Sequence, residues 1–217
     1  MQFFVHPLRQ MIQQGEGLTL DFKKTISSAK KIAKTLVAFS NTQGGRLLVG
    51  VKDNGRVVGT SPAEEMYMLQ SAAEVFSKPA IALEFTEHDY RGKQVLEVYV
   101  PPSSQKPHYA KGEDGKWWAY IRQEDETRLA SVVMLDVLKH RSRQDDTLIE
   151  FTEKESALMD LIKSNGQLTL KQATKGLKLP RQEVIKMLVR LISVQVLQVR
   201  ADKSKEYYSF NPMASTA

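Results

Sequence analysis

Apolar residues recur with two different periods along this chain. From residue 18 to 24 (LTLDFKK), Leu18, Leu20 and Phe22 alternate with Thr19, Asp21 and Lys23, the period of a half-buried strand. From 28 to 41 the period lengthens. Ile32, Leu36 and Phe39, with Ala33 and Val37, form one helical stripe, and Lys30, Lys31 and Lys34 fall off it. A short helix over 8–14, ended by Gly15, precedes these elements. After them comes the buried strand RLLVGV (46–51), and RVVG pairs back beyond the Asn54-Gly55 turn. The pattern then predicts a helix over 63–76, a hairpin turning at Arg91-Gly92, and a polar loop with Pro101, Pro102 and Pro107. A strand KWWAYIRQ and a closing helix over 129–140 complete the first part. These elements make an α+β (mixed α/β) domain of about 140 residues.

The second part is smaller and mainly helical. Thr152 with Glu155 three residues on is a capping box opening a helix over 153–164, with Leu158, Leu161 and Ile162 facing inward. Thr169 caps a helix over 170–177, and Pro180 opens one over 181–192. Two strands within VLQVRADKSKEYYSF follow, joined by a basic tip. Three helices and a hairpin describe a winged helix-turn-helix. The expected organisation is residues 1–143 for the first domain, a linker over 144–151, the winged helix over 152–212 and a frayed tail over 213–217.

Charge sharpens this division. The chain of 217 residues carries a net charge of +6. From Thr147 onward 11 Lys/Arg face 7 Asp/Glu, leaving 20 against 18 before it. Between Lys163 and Lys205 ten basic residues meet only Glu183 and Asp202. A basic face on a small unit is a nucleic-acid footprint. Arg181, Gln182 and Lys186 would enter a major groove on the third helix. Lys171, Lys175 and Lys178 would meet phosphates from the preceding helix and turn, and Arg200, Lys203 and Lys205 from the wing. Lys23 is a basic contact from the first domain. The other use of such a unit is protein docking or dimerisation.

There are no cysteines, which removes disulfides, thiolate zinc sites and cysteine nucleophiles, and is compatible with a reducing cytoplasm, the expected location. No apolar run approaches the roughly 20 residues of a membrane-spanning helix, so no membrane role is expected. His6, His88, His108 and His140 show no ligand spacing, and no serine-centred nucleophile motif occurs. Trp117 and Trp118 alternate with Tyr120 and Arg122, which predicts one indole in the core and one partly exposed; a base-stacking platform is the other use.

Gly44-Gly45 lacks the Gly-Lys-Ser/Thr ending of a phosphate-binding loop. These glycines follow a helix and precede a strand, the reverse of a dinucleotide fingerprint. They read as a helix end needing a left-handed residue, leading into a buried strand. Glu16, Asp21 and Asp53 lie near the ends of two strands. If those strands are neighbours, their carboxylates could converge on Mg²⁺ or Mn²⁺; scattered surface acids are the other reading.

The segments GEGLTLDFKKT, KTLVAFSNTQGGRLLVGVKDNGRVVG and PHYAKGEDGKWWAYIRQEDETRLAS resemble, in order and spacing, the Schlafen-type AlbA-like domain, over roughly residues 5–140. The resemblance implies a Schlafen/AlbA-like domain joined to the winged helix, in a DNA-binding transcriptional regulator. It also implies an alternative. In animal Schlafen nucleases three acidic residues form a metal-dependent RNA-cleaving site, and they fall here on Glu16, Asp21 and Asp53. Asp21, followed by Phe22 and Lys23, stands where the motif has glutamate, one methylene longer. The nuclease core in that family has two such lobes, so two chains of this protein would pair to build its equivalent. The expectation is a homodimeric nucleic-acid-binding protein of duplex DNA, needing no cofactor, with a Mg²⁺- or Mn²⁺-dependent endoribonuclease on structured RNA as the alternative.

Overall fold

The computed structural model describes residues 7–141, 151–202 and 205–212, so the expected tail (213–217), Lys203, His6 and all but one residue of the expected linker (144–151) lie outside them. The chain divides into two units, Met1–Ala130 and Ser131–Ala217. In order, the first holds α1 (Pro7–Gln14), β1 (Leu20–Lys23), α2 (Ala29–Asn41), β2 (Gly45–Val49), α3 (Pro62–Glu74), β3 (Ser77–Lys78), β4 (Glu84–Asp89), β5 (Gln94–Val100), β6 (Tyr109–Lys111), β7 (Trp117–Trp118), β8 (Tyr120–Gln123) and β9 (Glu126–Leu129). The second holds α4 (Val132–Arg141), α5 (Glu153–Asn165), α6 (Leu170–Leu177), α7 (Arg181–Ser193), β10 (Leu197–Asp202) and β11 (Lys205–Phe210).

A four-stranded sheet of order β1-β2-β5-β4 organises the first unit. β1 and β2 run parallel, with Asp21 opposite Leu47, and the remaining pairs are antiparallel. Parallel neighbours need a crossover, and α2 supplies it. Leu47, Val49, Leu96, Val98 and Val100 meet the apolar stripe of α2 and Leu69 of α3 on one face. Leu20, Phe22, Leu48, Val51 and Val95 meet Leu8 of α1 on the other. With cover on both faces, the alternation in β1 no longer separates core from solvent: Asp21 is only 4% exposed.

The helix end foreseen at NTQGG is built as a junction. Ser28 caps the start of α2 by accepting from Lys31 N. At the other end Thr42 N and Gly44 N both donate to Phe39 O, and Gly44 takes φ +74°, where a side chain is disfavoured. Asn41 is buried and ties three strangers together. Its Nδ2 donates to His108 O and Tyr120 O, both at 2.9 Å, and its Oδ1 accepts from His108 N. Thr42 Oγ1 donates to Ala38 O and accepts from Arg122 N.

Four expectations change here. KWWAYIRQ is two strands, since β7 pairs with β6 and β8 turns to pair with β9. Trp117 and Trp118 are consequently both exposed, at 39% and 38%, instead of one in the core. The RVVG return is a single bridge, Val51 to Val57, closed by Lys52 N donating to Arg56 O. The helix expected to close the first domain belongs to the second unit: Val133 and Val137 of α4 share a core with Val184 and Leu188 of α7.

His108 is buried with both ring nitrogens engaged, Nδ1 on Pro79 O at 2.9 Å and Nε2 on Ser103 Oγ at 2.7 Å. The carbonyl can only accept, so Nδ1 carries the proton and Nε2 accepts from the serine. Burial lowers the His108 pKa from its ordinary 6.5, opposed by the Pro79 bond and reinforced by Lys106. The unfolded chain then takes up a proton that the folded one resists. Stability supplied by the neutral ring is complete above pH 6.5 and is lost as pH falls below it. Melting temperatures measured down from pH 7.5 should drop for the native protein and drop less for His108→Gln; parallel curves would refute this.

Candidate functional site

Glu16, just before β1, and Asp21 within it bring their carboxyls together. Glu16 Oε1 accepts from Phe22 N at 2.8 Å, which folds the side chain back over the strand. The Glu16 pKa is raised, first by burial and then by the hydrogen bond and charge of Asp21; the Phe22 N–H and Lys23 act against this. The charge of the neighbouring Asp21 thus acts directly on the Glu16 carboxyl.

The counter-charges are two. Lys23 Nζ sits 3.0 Å from Asp21 Oδ2 and also donates to Phe22 O, so this expected nucleic-acid contact has its ammonium drawn onto its own strand. Arg122, on β8, arrives from the far end of the unit. Its guanidinium donates to Gly17 O at 2.6 Å and to Thr127 Oγ1 at 3.3 Å, and Nη1 stands 4.0 Å from Asp21 Oδ1. It stacks over the Phe39 ring at 4.9 Å, and the residue is 4% exposed. Burial lowers the Arg122 pKa, while Asp21, Glu16 and Asp125 oppose that shift. Arg122 went unassigned in the sequence because no local pattern marks an arginine as buried.

Asp53 is exposed in the turn beyond β2. Asp21 faces Leu47, and Asp53 lies six residues further on, past the end of the paired strands. Among the described residues no group of three or more His, Asp or Glu side chains is placed to hold a metal ion. A hard divalent cation needs several converging oxygens. Glu16 and Asp21, faced by a lysine and a buried arginine and without Asp53, do not make such a set.

Another acid the sequence did not single out is structural: buried Glu65 accepts from Thr25 Oγ1, Ile26 N and Thr60 Oγ1, binding two loops to α3.

In the second unit both capping boxes are formed, Thr152 with Glu155 and Thr169 with Gln172. The β10-β11 hairpin gains a third partner where Leu168 bridges Tyr208, whose ring is buried. Lys171 and Lys175 on α6, Lys178 in its left-handed cap (φ 53°), Arg181 and Gln182 at the start of α7, and Arg200 and Lys205 on the hairpin are all exposed. Burial raises the Tyr208 pKa, and the positive charge of Arg181 acts weakly against that shift. Lys186 is also exposed but borders a groove shared with Glu153, Glu155 and Glu183. Most of α7 is core, with seven of its 13 residues buried.

Among solved structures, the N-terminal domain of a DNA helicase RecG-related protein from Nitrosomonas europaea is 25% identical over 59% of this chain and 97% of its own, with a TM-score of 0.42. The DIP2311 protein from Corynebacterium diphtheriae is 16% identical over 87% of this chain, with a TM-score of 0.44, and the match spans 34% of its length. Both superpose loosely. No curated protein matches the chain. No helix among the described residues is long and apolar enough to cross a membrane. The family model for Schlafen, AlbA_2 matches residues 16–131, more than half of the chain and the whole stretch from the Glu16 carboxyl to the end of β9, and the protein belongs to that family.

Proposed function

We propose that this protein binds nucleic acid and that its second unit reads duplex DNA as a winged helix-turn-helix, in the manner of a transcriptional regulator. The observation that carries the reading is that the cations on α6, its cap, the start of α7 and the β10-β11 pair are all exposed. Arg181 and Gln182 are the groove-facing residues, and Lys171, Lys175, Lys178, Arg200 and Lys205 neutralise phosphates. Lys186 contributes less, because Glu183 and Glu153 border the same groove. One such reader covers one half-site, so the working species is a homodimer. The metal-dependent ribonuclease reading has no comparable support, since among the described residues no group of three or more His, Asp or Glu side chains is placed to hold a metal ion.

The reversal Lys178→Glu with Arg181→Glu should weaken retention of duplex DNA at least about tenfold in a low-salt gel shift. It should also flatten the dependence of affinity on salt by roughly one unit of slope per lost phosphate contact. Lys186→Glu should do less than either. Equal retention by the native protein and the double variant would remove the proposal.

A further inference from the structure

A second basic feature lies in the first unit, away from the carboxylate pair. The β4-β5 turn is a two-residue loop in which Arg91 (φ 56°) and Gly92 (φ 75°) both take positive φ, with Tyr90 and Lys93 exchanging backbone hydrogen bonds. The turn beyond β2 and the outer face of α1 stand against it. Together they line a cleft of about 450 Å³. Its lining includes Arg9, Arg56, Arg91 and Lys93 together with Ile12 and Tyr90.

The charge balance of this cleft is one-sided. No carboxylate lines it. Among the described residues none of the four cations forms an ion pair. Lys93 Nζ donates only to the Val57 carbonyl, at 3.0 Å. Asp89, the nearest acid on the hairpin, uses its two oxygens on Gly92 N and the Gln94 amide. Four like charges around one cavity repel each other, and an anion between them relieves that repulsion. Arginines suit phosphate in particular, because the planar fork donates to two oxygens at once. Ile12 and Tyr90 add a different chemistry. Both pack on the sheet's second core, and the Arg91 guanidinium lies over the Tyr90 ring, 5.4 Å from its centre, so this cation is backed by an aromatic face. The volume falls in the range of small-ligand sites, roughly 300–1,000 Å³.

We infer that this cleft is a nucleotide site, with phosphate held by Arg9, Arg56 and Lys93 and the base stacking on the Arg91 guanidinium that lies over Tyr90. The nucleotide is either free or the phosphorylated end of a single strand, since both present the same phosphate beside a flat ring. This site stands independently of duplex reading by the second unit.

The test is calorimetric titration of the full chain with adenosine monophosphate, adenosine triphosphate and a 5′-phosphorylated tetranucleotide, with inorganic phosphate as competitor. Binding should be displaced by phosphate and weakened at least tenfold by Arg9→Glu with Arg56→Glu. It should be untouched by Lys178→Glu with Arg181→Glu, so failure here and failure of the duplex reading remain separate results. Arg56→Gln, the milder change, should weaken binding with an unaltered melting temperature, which separates lost contact from lost fold. Triphosphate bound more tightly than the tetranucleotide identifies a free ligand; the reverse order identifies a strand end. No binding of any of the three at millimolar concentration, or equal binding by the Arg9/Arg56 variant, overturns the inference.

Discussion

Arg122→Met should destabilise the first unit by about 3–5 kcal/mol, the usual cost of removing one partner from a buried charge pair. The guanidinium holds Gly17 O, Thr127 Oγ1 and the ring of Phe39, and stands beside an Asp21 carboxylate that is itself almost fully buried. Removal leaves that carboxylate with Lys23 alone and frees the β8-β9 hairpin from β1. Arg122→Lys keeps the charge but loses the fork, and should fall between the two. Urea unfolding followed by circular dichroism measures the difference. A double variant, Asp21→Asn with Arg122→Met, should lose less than the sum of the single losses, because the two groups share one interaction. Additive losses, or a single-variant effect under about 1 kcal/mol, would show that the arginine is a bystander.

The second large effect is expected at Gly45, where β2 begins. A Cβ built there clashes with the Phe39 ring, far inside van der Waals contact with its Cδ1, Cε1 and Cγ atoms. Phe39 is fully buried and also carries the stacked guanidinium, so it has no room to retreat. Gly45→Ala should therefore cost about 1–3 kcal/mol through overpacking. Gly44→Ala meets a different obstacle: its positive φ, together with Val100 O and Pro102 Cδ at 2.7 Å from the added carbon. Thermal melts should place both variants several degrees below the native protein. A Gly45→Ala melt that coincides with the native one would mean that the ring moves freely.

The elements set by neighbouring residues were legible in the sequence. The stripe on α2, the caps at Thr152 and Thr169, the Arg91-Gly92 turn and the helix end at Gly44 each depend on a few adjacent positions. What could not be read was what covers a surface. Alternation in β1 marks Asp21 as polar-side but says nothing of a hairpin folded over that side by an arginine whose hydrogen bond spans 105 positions. KWWAYIRQ reads as one strand because pairing partners are not encoded in it, and its break at Ala119 exists only because β6 and β9 lie in different sheets. The acidic triad is a similar case: its spacing puts the three acids near the ends of two neighbouring strands, but spacing says nothing of the lysine and the buried arginine that face Asp21.

The placement of α4 reaches beyond the fold itself. Val133, Val137 and Leu138 are each at most 4% exposed, and the first two sit in the core of the second unit with α7. Arg141 donates to Ile192 O near the end of α7. A fragment cut at residue 143, where charge and polarity change most visibly, would carry this helix away from its partner. Its valines would lie open to water on the excised piece, and α7 would be uncovered on the remainder, leaving each half with a sticky surface that belongs to neither in the intact chain. Cleavage between Ala130 and Ser131 avoids both wounds, so the natural seam for separating the two units runs ahead of the helix and not behind it.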